Sequence, residues 1–270
     1  MTSPTFVVPL DGSGYSERAL PIAVALAQRG GGRLLLVSAV EHGPLHPAEY
    51  LHEIAGFPRP VPVETLAIPN ADVYPGTAIA DVVSAADDRI VCMTSHGRGG
   101  LRWGLLGSVA EEVMRRVERP TVLVGRHCHE DFLSDARFML ACVDGSESSA
   151  ELAPPAMEWA ERLGLDIHVA TVVHPLDIES AEHREKILDP IVEQFGGASR
   201  VAATLLTSRY PEGALADYAA DLGAAIIAMN SRGRTGLARL ALGSTTMGTV
   251  NQAPCPVLVT PRRAAGGDAQ

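Results

Sequence analysis

One half of this chain is a diverged copy of the other. The stretch VVPLDGSGYSERALPIAVALAQRGGGRLLLVSAV returns as LACVDGSESSAELAPPAMEWAERLGLDIHVATVV, which sets Asp11 over Asp144. Further on, TSHGRGGLRWGLLGS returns as NSRGRTGLARLALGS, which sets Gly107 over Gly243. The two offsets, 133 and 136 residues, differ by no more than a short loop change, so the repeat predicts duplicated domains. The apolar pattern breaks in the polar segment RHCHEDFLSDAR, which predicts one domain over residues 1–130 and a second over 137–262, with RRAAGGDAQ as a mobile tail.

Within each half, short apolar runs alternate with amphipathic stretches of helical length. The first half reads as strand TFVVPL, helix 16–28, strand RLLLVSAV, a short helix 47–55, strand VPVETLAI, helix 75–87, strand RIVCMT, helix 108–118 and strand TVLVG. The second half repeats that order, with a longer second helix around 180–195. Strands separated by helices predict a parallel sheet covered on both faces, because parallel strands need crossovers and right-handed crossovers carry their helices outside. Each half is therefore expected to be an open, doubly wound α/β fold. Its ligand crevice should lie beyond the carboxyl ends of the strands, where the strand order switches.

That crevice is where TSHGRGGLRWGLLGS falls, beginning as the fourth strand ends and closing as the next helix begins. Gly97, Gly99 and Gly100 can take positive φ and bring backbone close to a ligand. Gly107 and Ser108 then open the helix, where unpaired N–H groups, the helix dipole and a hydroxyl converge on one spot that suits phosphate. Glycine for loop freedom and serine as an N-cap would explain one copy. The Gly-x9-Gly-Ser spacing kept in both copies favours the anion. The aspartate that ends the first strand, in PLDGS and again in CVDGS, has two readings. It is an acceptor for ribose hydroxyls or an exocyclic amine, or it is the head of an Asx-turn or helix cap. With the glycine loop it brackets a groove of nucleotide length.

Charge and composition narrow the partners. A formal charge of −10 and a pI near 5.3 oppose nucleic acid and anionic membrane, because the long-range field repels phosphate. Lys186 is the only lysine, and the GxxxxGK[ST] pattern of a Walker loop is absent. No stretch approaches the roughly 18 apolar residues of a membrane span, and the start MTSPTFVVPLDGS lacks a basic segment before its short apolar run. Cys92, Cys128, Cys142 and Cys255 form no CxxC pair and suit a reduced cytoplasm. The HCH at 127–129 reads as a solvated connector, since adjacent residues rarely converge on one ion.

These motifs carry a resemblance. PLDGS and VDGS after a first strand, followed 85 to 90 residues on by Gly-x9-Gly-Ser and then by RPTVLV or CPVLV, resemble the universal stress protein family in tandem form. The resemblance covers nearly the whole chain and implies two tandem doubly wound parallel-sheet domains, Rossmann-like and adenine nucleotide-binding. It implies ATP or another adenine nucleotide as cofactor, with Mg2+ as a candidate companion. Matched residue by residue, the first phosphate loop is Gly97, Gly107 and Ser108 with the amides of Val109 and Ala110; the second is Gly233, Gly243, Ser244, Thr245 and Thr246. Asp11 and Asp144 match the nucleoside-contacting aspartate, with Pro9, Leu10, Cys142 and Val143 beside them, and Val40 and Val173 match the apolar wall ending the second strand. Both copies depart from the family pattern at its first glycine, where Thr94 and Asn230 follow Met93 and Met229 and add a side chain on the ligand side. Arg98 and Arg234 are candidate phosphate contacts. His96 is a poor general base by comparison, because Arg232 holds its place in the second copy.

The resemblance also implies that the last strands of the two halves associate, making the chain an internal pseudo-dimer, with a homodimer of whole chains as a further expectation. The expected function is that of an ATP-binding, nucleotide-dependent stress-response regulator without fast catalysis, since no organised positive charge accompanies the cradle. The alternatives are a slow ATPase using Asp11 or Asp144, and a tandem in which one half has lost nucleotide and only supports the other.

Overall fold

The computed structural model describes residues 3–39, 46–68, 73–96, 106–134, 136–145, 147–177, 186, 190, 192–196, 201–231 and 242–261, with backbone alone at 147–149. The first half runs β1 (Thr5–Pro9), α1 (Gly14–Glu17), α2 (Ala19–Gly30), β2 (Arg33–Ala39), α3 (Pro47–Gly56), β3 (Val63–Ile68), α4 (Pro75–Ser84), β4 (Arg89–Thr94), α5 (Ser108–Arg116) and β5 (Thr121–Val124). The second runs β6 (Phe138–Val143), a 3-10 segment (Glu147–Leu152), α6 (Ala153–Leu163), β7 (Asp166–Val173), β8 (Ala202–Thr207), α7 (Pro211–Leu222), β9 (Ala224–Asn230), α8 (Ser244–Gln252) and β10 (Val257–Thr260). The expected helix at 180–195 and the expected tail lie largely or wholly outside the described residues.

Within each half the strands pair in parallel, in the order β3-β2-β1-β4-β5 and its repeat β8-β7-β6-β9-β10. This is the doubly wound arrangement expected from the alternating pattern. The apolar runs in β1, β2, β4, β6 and β9 are buried almost end to end, as strands covered on both faces must be. The outermost strands, β3 and β8, carry Glu64, Thr65, Thr204 and Thr207, none of them buried. Polar side chains of this kind suit a sheet edge.

The halves join through their last strands. β5 and β10 pair antiparallel, with Leu123 opposite Val257 and Thr121 opposite Val259, so ten strands form one sheet. Gly125 lets helix α8 close over this seam: a Cβ there would sit 1.8 Å from the Val250 carbonyl oxygen. On the sheet, Phe6 of the first half meets Trp159 of the second edge-on, with ring centroids 6.0 Å apart. One buried apolar cluster therefore runs through both halves.

Two expectations need correction. The helix expected over 16–28 is broken at Arg18, because Pro21 has no N–H to give the Glu17 carbonyl and its ring crowds that oxygen. The segment after β5 is not a simply solvated connector. Cys128 and Phe132 are buried, the His129 N–H donates to the Pro254 carbonyl at 2.8 Å, and the Arg18 guanidinium donates to the carbonyls of Arg126 and Cys128 at 2.9 and 3.3 Å. No helix among the described residues is long and apolar enough to cross a membrane.

Candidate functional site

The strand order reverses between β1 and β4, and again between β6 and β9. An open α/β sheet presents its crevice at such a point, beyond the carboxyl ends of the strands. In the first half the β1 ladder ends with the Leu10 N–H donating to Val37 at 2.8 Å, and Asp11 follows. The next residue turns the chain: Gly12 has φ +78° and its counterpart Gly145 has φ +73°, a conformation that favours glycine. Asp11 then holds the turn, its Oδ1 accepting from the Ser13 N–H at 2.9 Å and the Ser13 hydroxyl at 2.5 Å. Ser13 Oγ in turn accepts from the Ser16 N–H at 3.2 Å, as the N-cap of α1. Of the two readings left open for Asp11, the Asx-turn is present, and it leaves the half-buried carboxylate at the mouth of the crevice. Asp144 stands at the same place after β6, also half-buried.

The opposite wall is built the same way in both halves. The Ser95 N–H donates to Val124 at 3.0 Å and the Ser95 carbonyl accepts from Gly107 at 2.8 Å; Ser231 does the same with Thr260 and Gly243, both at 2.8 Å. A single serine thus ties the strand end to its neighbour and to the start of the following helix. Gly107 and Gly243 are the N-caps of α5 and α8, with φ of −61° and −69°, and neither helix has a side-chain cap bond. These φ values suit any residue, so backbone conformation does not demand glycine here. A glycine N-cap adds no side chain beside the first N–H groups of the helix, which have no intrahelical acceptor. Ser108 and Ser244 are exposed, Val109 and Thr245 half-buried, and Ala110 and Thr246 buried. The first turn of α5 carries Glu111, paired with Arg115 at 2.9 Å, whereas that of α8 has no acidic residue.

Thr94 and Asn230 do not stand free on the ligand side. Thr94 is 5% exposed and its hydroxyl donates to the His96 carbonyl at 2.7 Å. Asn230 Oδ1 accepts from the Thr260 hydroxyl at 2.6 Å, while its carbonyl accepts from Thr246 Oγ1 at 3.0 Å. Both side chains bind their own framework. Leu10, Met93, Cys142, Val143 and Met229 are buried, so among these expected residues a ligand meets backbone sooner than side chain. Pro9 and Val173 are half-buried at the ends of β1 and β7. Val40, Gly97, Arg98, Gly233 and Arg234 lie outside the described residues, as do Gly99, Gly100 and Arg232.

Around this crevice burial sets the chemistry of several groups. His96 is buried, with Nδ1 3.0 Å from Ser95 Oγ. The Tyr50 hydroxyl donates to Glu17 at 2.8 Å, and burial followed by that carboxylate pushes its pKa well up. All four cysteines are buried, and burial raises each thiol, Cys128 to about 12, so none is a ready nucleophile. Among the described residues no group of three or more His, Cys, Asp or Glu could hold a metal ion. The motif reading missed Ser13, Ser16, Ser95 and Ser231. The signal was present in the repeat: DGSxxS and the serine after Thr94 or Asn230 stand in both copies.

Two such halves, each with an Asp-Gly turn after its first strand and a glycine-capped helix start after its fourth, define a tandem α/β class of protein. The comparisons specify it further. The profile of the universal stress protein family matches residues 70–125 and 137–261, and the chain belongs to that family. It is similar to the universal stress protein Rv2005c of Mycobacterium tuberculosis, 25% identical over 268 residues that cover 94% of this chain and 84% of the relative. A universal stress protein of Thermus aquaticus is 30% identical over 133 residues, 44% of this chain and 97% of its own length. In fold the chain resembles a universal stress protein from Archaeoglobus fulgidus, with a TM-score of 0.68, 19% identity, and coverage of 97% of this chain and 100% of the other.

Proposed function

We propose that the chain is a stress-response regulator governed by an adenine nucleotide, ATP or a relative, with or without Mg2+, held in each of two units spanning 1–130 and 137–262. The site in each unit comprises the Asp-Gly turn, the end of the second strand, and the helix start, with Asp11, Gly107, Ser108, Val109 and Ala110 in one and Asp144, Gly243, Ser244, Thr245 and Thr246 in the other. The observation that carries this reading is the pair of uncapped helix starts, with Ser108 and Ser244 both exposed at the switch point of the sheet. Free N–H groups and the positive helix end favour a phosphate chain there. Asp11 already binds its own turn through Ser13, which suits a contact residue better than a base working on water. The reading is therefore binding without fast turnover, in the cytoplasm, with a second copy of the chain as a candidate partner.

Equilibrium dialysis of ligand-stripped protein against ATP tests it. The expected result is two nucleotides per chain. Absence of binding at millimolar ATP rejects the reading.

A further inference from the structure

Tyr15 sits where the two walls of the first crevice meet. It belongs to α1, directly after the Asp11 turn, and its ring stands edge-on to His96, with centroids 6.5 Å apart at 84°. His96 follows Ser95, the residue bonded to Gly107 at the start of α5. Tyr15 therefore links the turn that ends β1 to His96, just past the end of β4. The Arg18 Cζ lies 5.6 Å from the ring centroid, and the guanidinium is itself held by the carbonyls of Arg126 and Cys128. The ring is thus fixed between a cation and an imidazole edge before any ligand arrives, which reduces the ordering entropy lost on binding.

The hydroxyl on this fixed ring is buried and has no hydrogen-bond partner among the described residues. A phenylalanine would fill nearly the same volume without an unsatisfied polar atom, and such an atom in a native structure calls for a partner that the described residues do not supply. A positive guanidinium on the ring, and a helix amino end tied through Gly107 to Ser95, the residue before His96, select an anionic acceptor. We infer that Tyr15 is a ligand-binding residue of the first crevice, its hydroxyl donating to an oxyanion of the bound phosphate chain. The inference rests on the nucleotide reading above. It also makes the two halves unequal, because the repeat places Ser148, with no ring, at the corresponding position.

Tyr15→Phe in the full chain tests this, with ATP titrated calorimetrically and thermal unfolding followed without nucleotide. The expected result is a loss of about tenfold in affinity at one of the two sites, in the range of a hydrogen bond to a charged group, with the other site unchanged. The nucleotide-free melting temperature should stay level or rise, because an unsatisfied hydroxyl has been removed. Unchanged affinity at both sites overturns the inference and leaves the nucleotide reading standing. A lower melting temperature without nucleotide overturns it too, because the hydroxyl would then be a structural contact. Absence of ATP binding by the parent protein removes both readings together.

Discussion

Arg29, in the last turn of α2, donates its Nε–H to the carbonyl of Leu163, in the last turn of α6, at 2.6 Å. Its guanidinium also reaches the carbonyls of Leu133 and Ala136 at 3.3 and 3.4 Å. The repeat counterpart of Arg29 is Arg162, whose Cγ lies 3.3 Å from where a Cβ on Gly30 would be. The carboxyl end of each helix is thus covered by an arginine from the other, the reciprocity of a two-fold interface built inside one chain. A cation at a helix carboxyl end is also favoured by the dipole. Arg29→Ala should lower unfolding stability by about 1–2 kcal/mol, discounted for the exposed part of the guanidinium. Urea denaturation measures it, and an unchanged midpoint would show that the Arg29 contacts add nothing to the other joins between the halves.

Helix pairs α4–α5 and α7–α8 use the same fit with its members exchanged. In the first half Glu112 of α5 lies over Gly76 of α4, so that a Cβ on Gly76 would be 2.7 Å from Glu112 Cβ. In the second, Glu212 of α7 lies over Gly248 of α8, again at 2.7 Å. Gly76→Glu should cost about 1–3 kcal/mol through overpacking. Adding Glu112→Gly reproduces the arrangement of the second half and should recover most of the loss, less about 1 kcal/mol for glycine in a helix. Thermal unfolding of the single and double variants decides it: a double variant no better than Gly76→Glu disproves the exchange.

The glycine N-caps separate folding from binding. Because Gly107 and Gly243 have ordinary φ values, Gly107→Val and Gly243→Val should fold normally. Each branched side chain should weaken ATP binding in its own half by about tenfold or more, equivalent to about 1.4 kcal/mol. Circular dichroism and calorimetry of the two variants are the measurements, and unaltered affinity in both would detach the helix starts from the ligand.

Asp88 supplies an acid-sensitive contact at the opposite ends of the strands. Its carboxylate accepts from the Thr5 hydroxyl at 2.6 Å and pairs with Arg33 at 3.3 Å, and the Thr5 bond is the main cause of its lowered pKa. A carboxylate with a depressed folded value contributes stability above its unfolded value and loses it as pH falls through the folded one. The stability gap between the parent and Asp88→Asn should therefore be open near neutral pH and close below about pH 4. A gap independent of pH would mean that the charge is not what matters.

The architecture was legible because burial on both faces leaves a mark in the sequence: runs such as RLLLVSA and AAIIAMN have few structures open to them. The break at Arg18 is written in Pro21 but hidden by the apolar periodicity that continues across it. Ser95 and Ser231 were visible only as repeated letters; nothing local says that one serine backbone would join a strand, its neighbour and a helix start. The framework bonds of Thr94 and Asn230 were illegible for a related reason. Residue type reveals what a side chain can bond, and only the fold decides whether Thr260 stands beside it. The exchange of Gly76 and Glu112 for Glu212 and Gly248 depends on contacts 36 residues apart in each half, where local propensity is silent.

The antiparallel seam between β5 and β10 fixes where the two crevices face. Strands that point one way in the first half point the other way in the second, so the two carboxyl-end rims lie at opposite poles of the sheet. A ligand at one rim would therefore lie across the length of the strands from the other. Any coupling between the two rims has to pass through the ten-stranded floor they share.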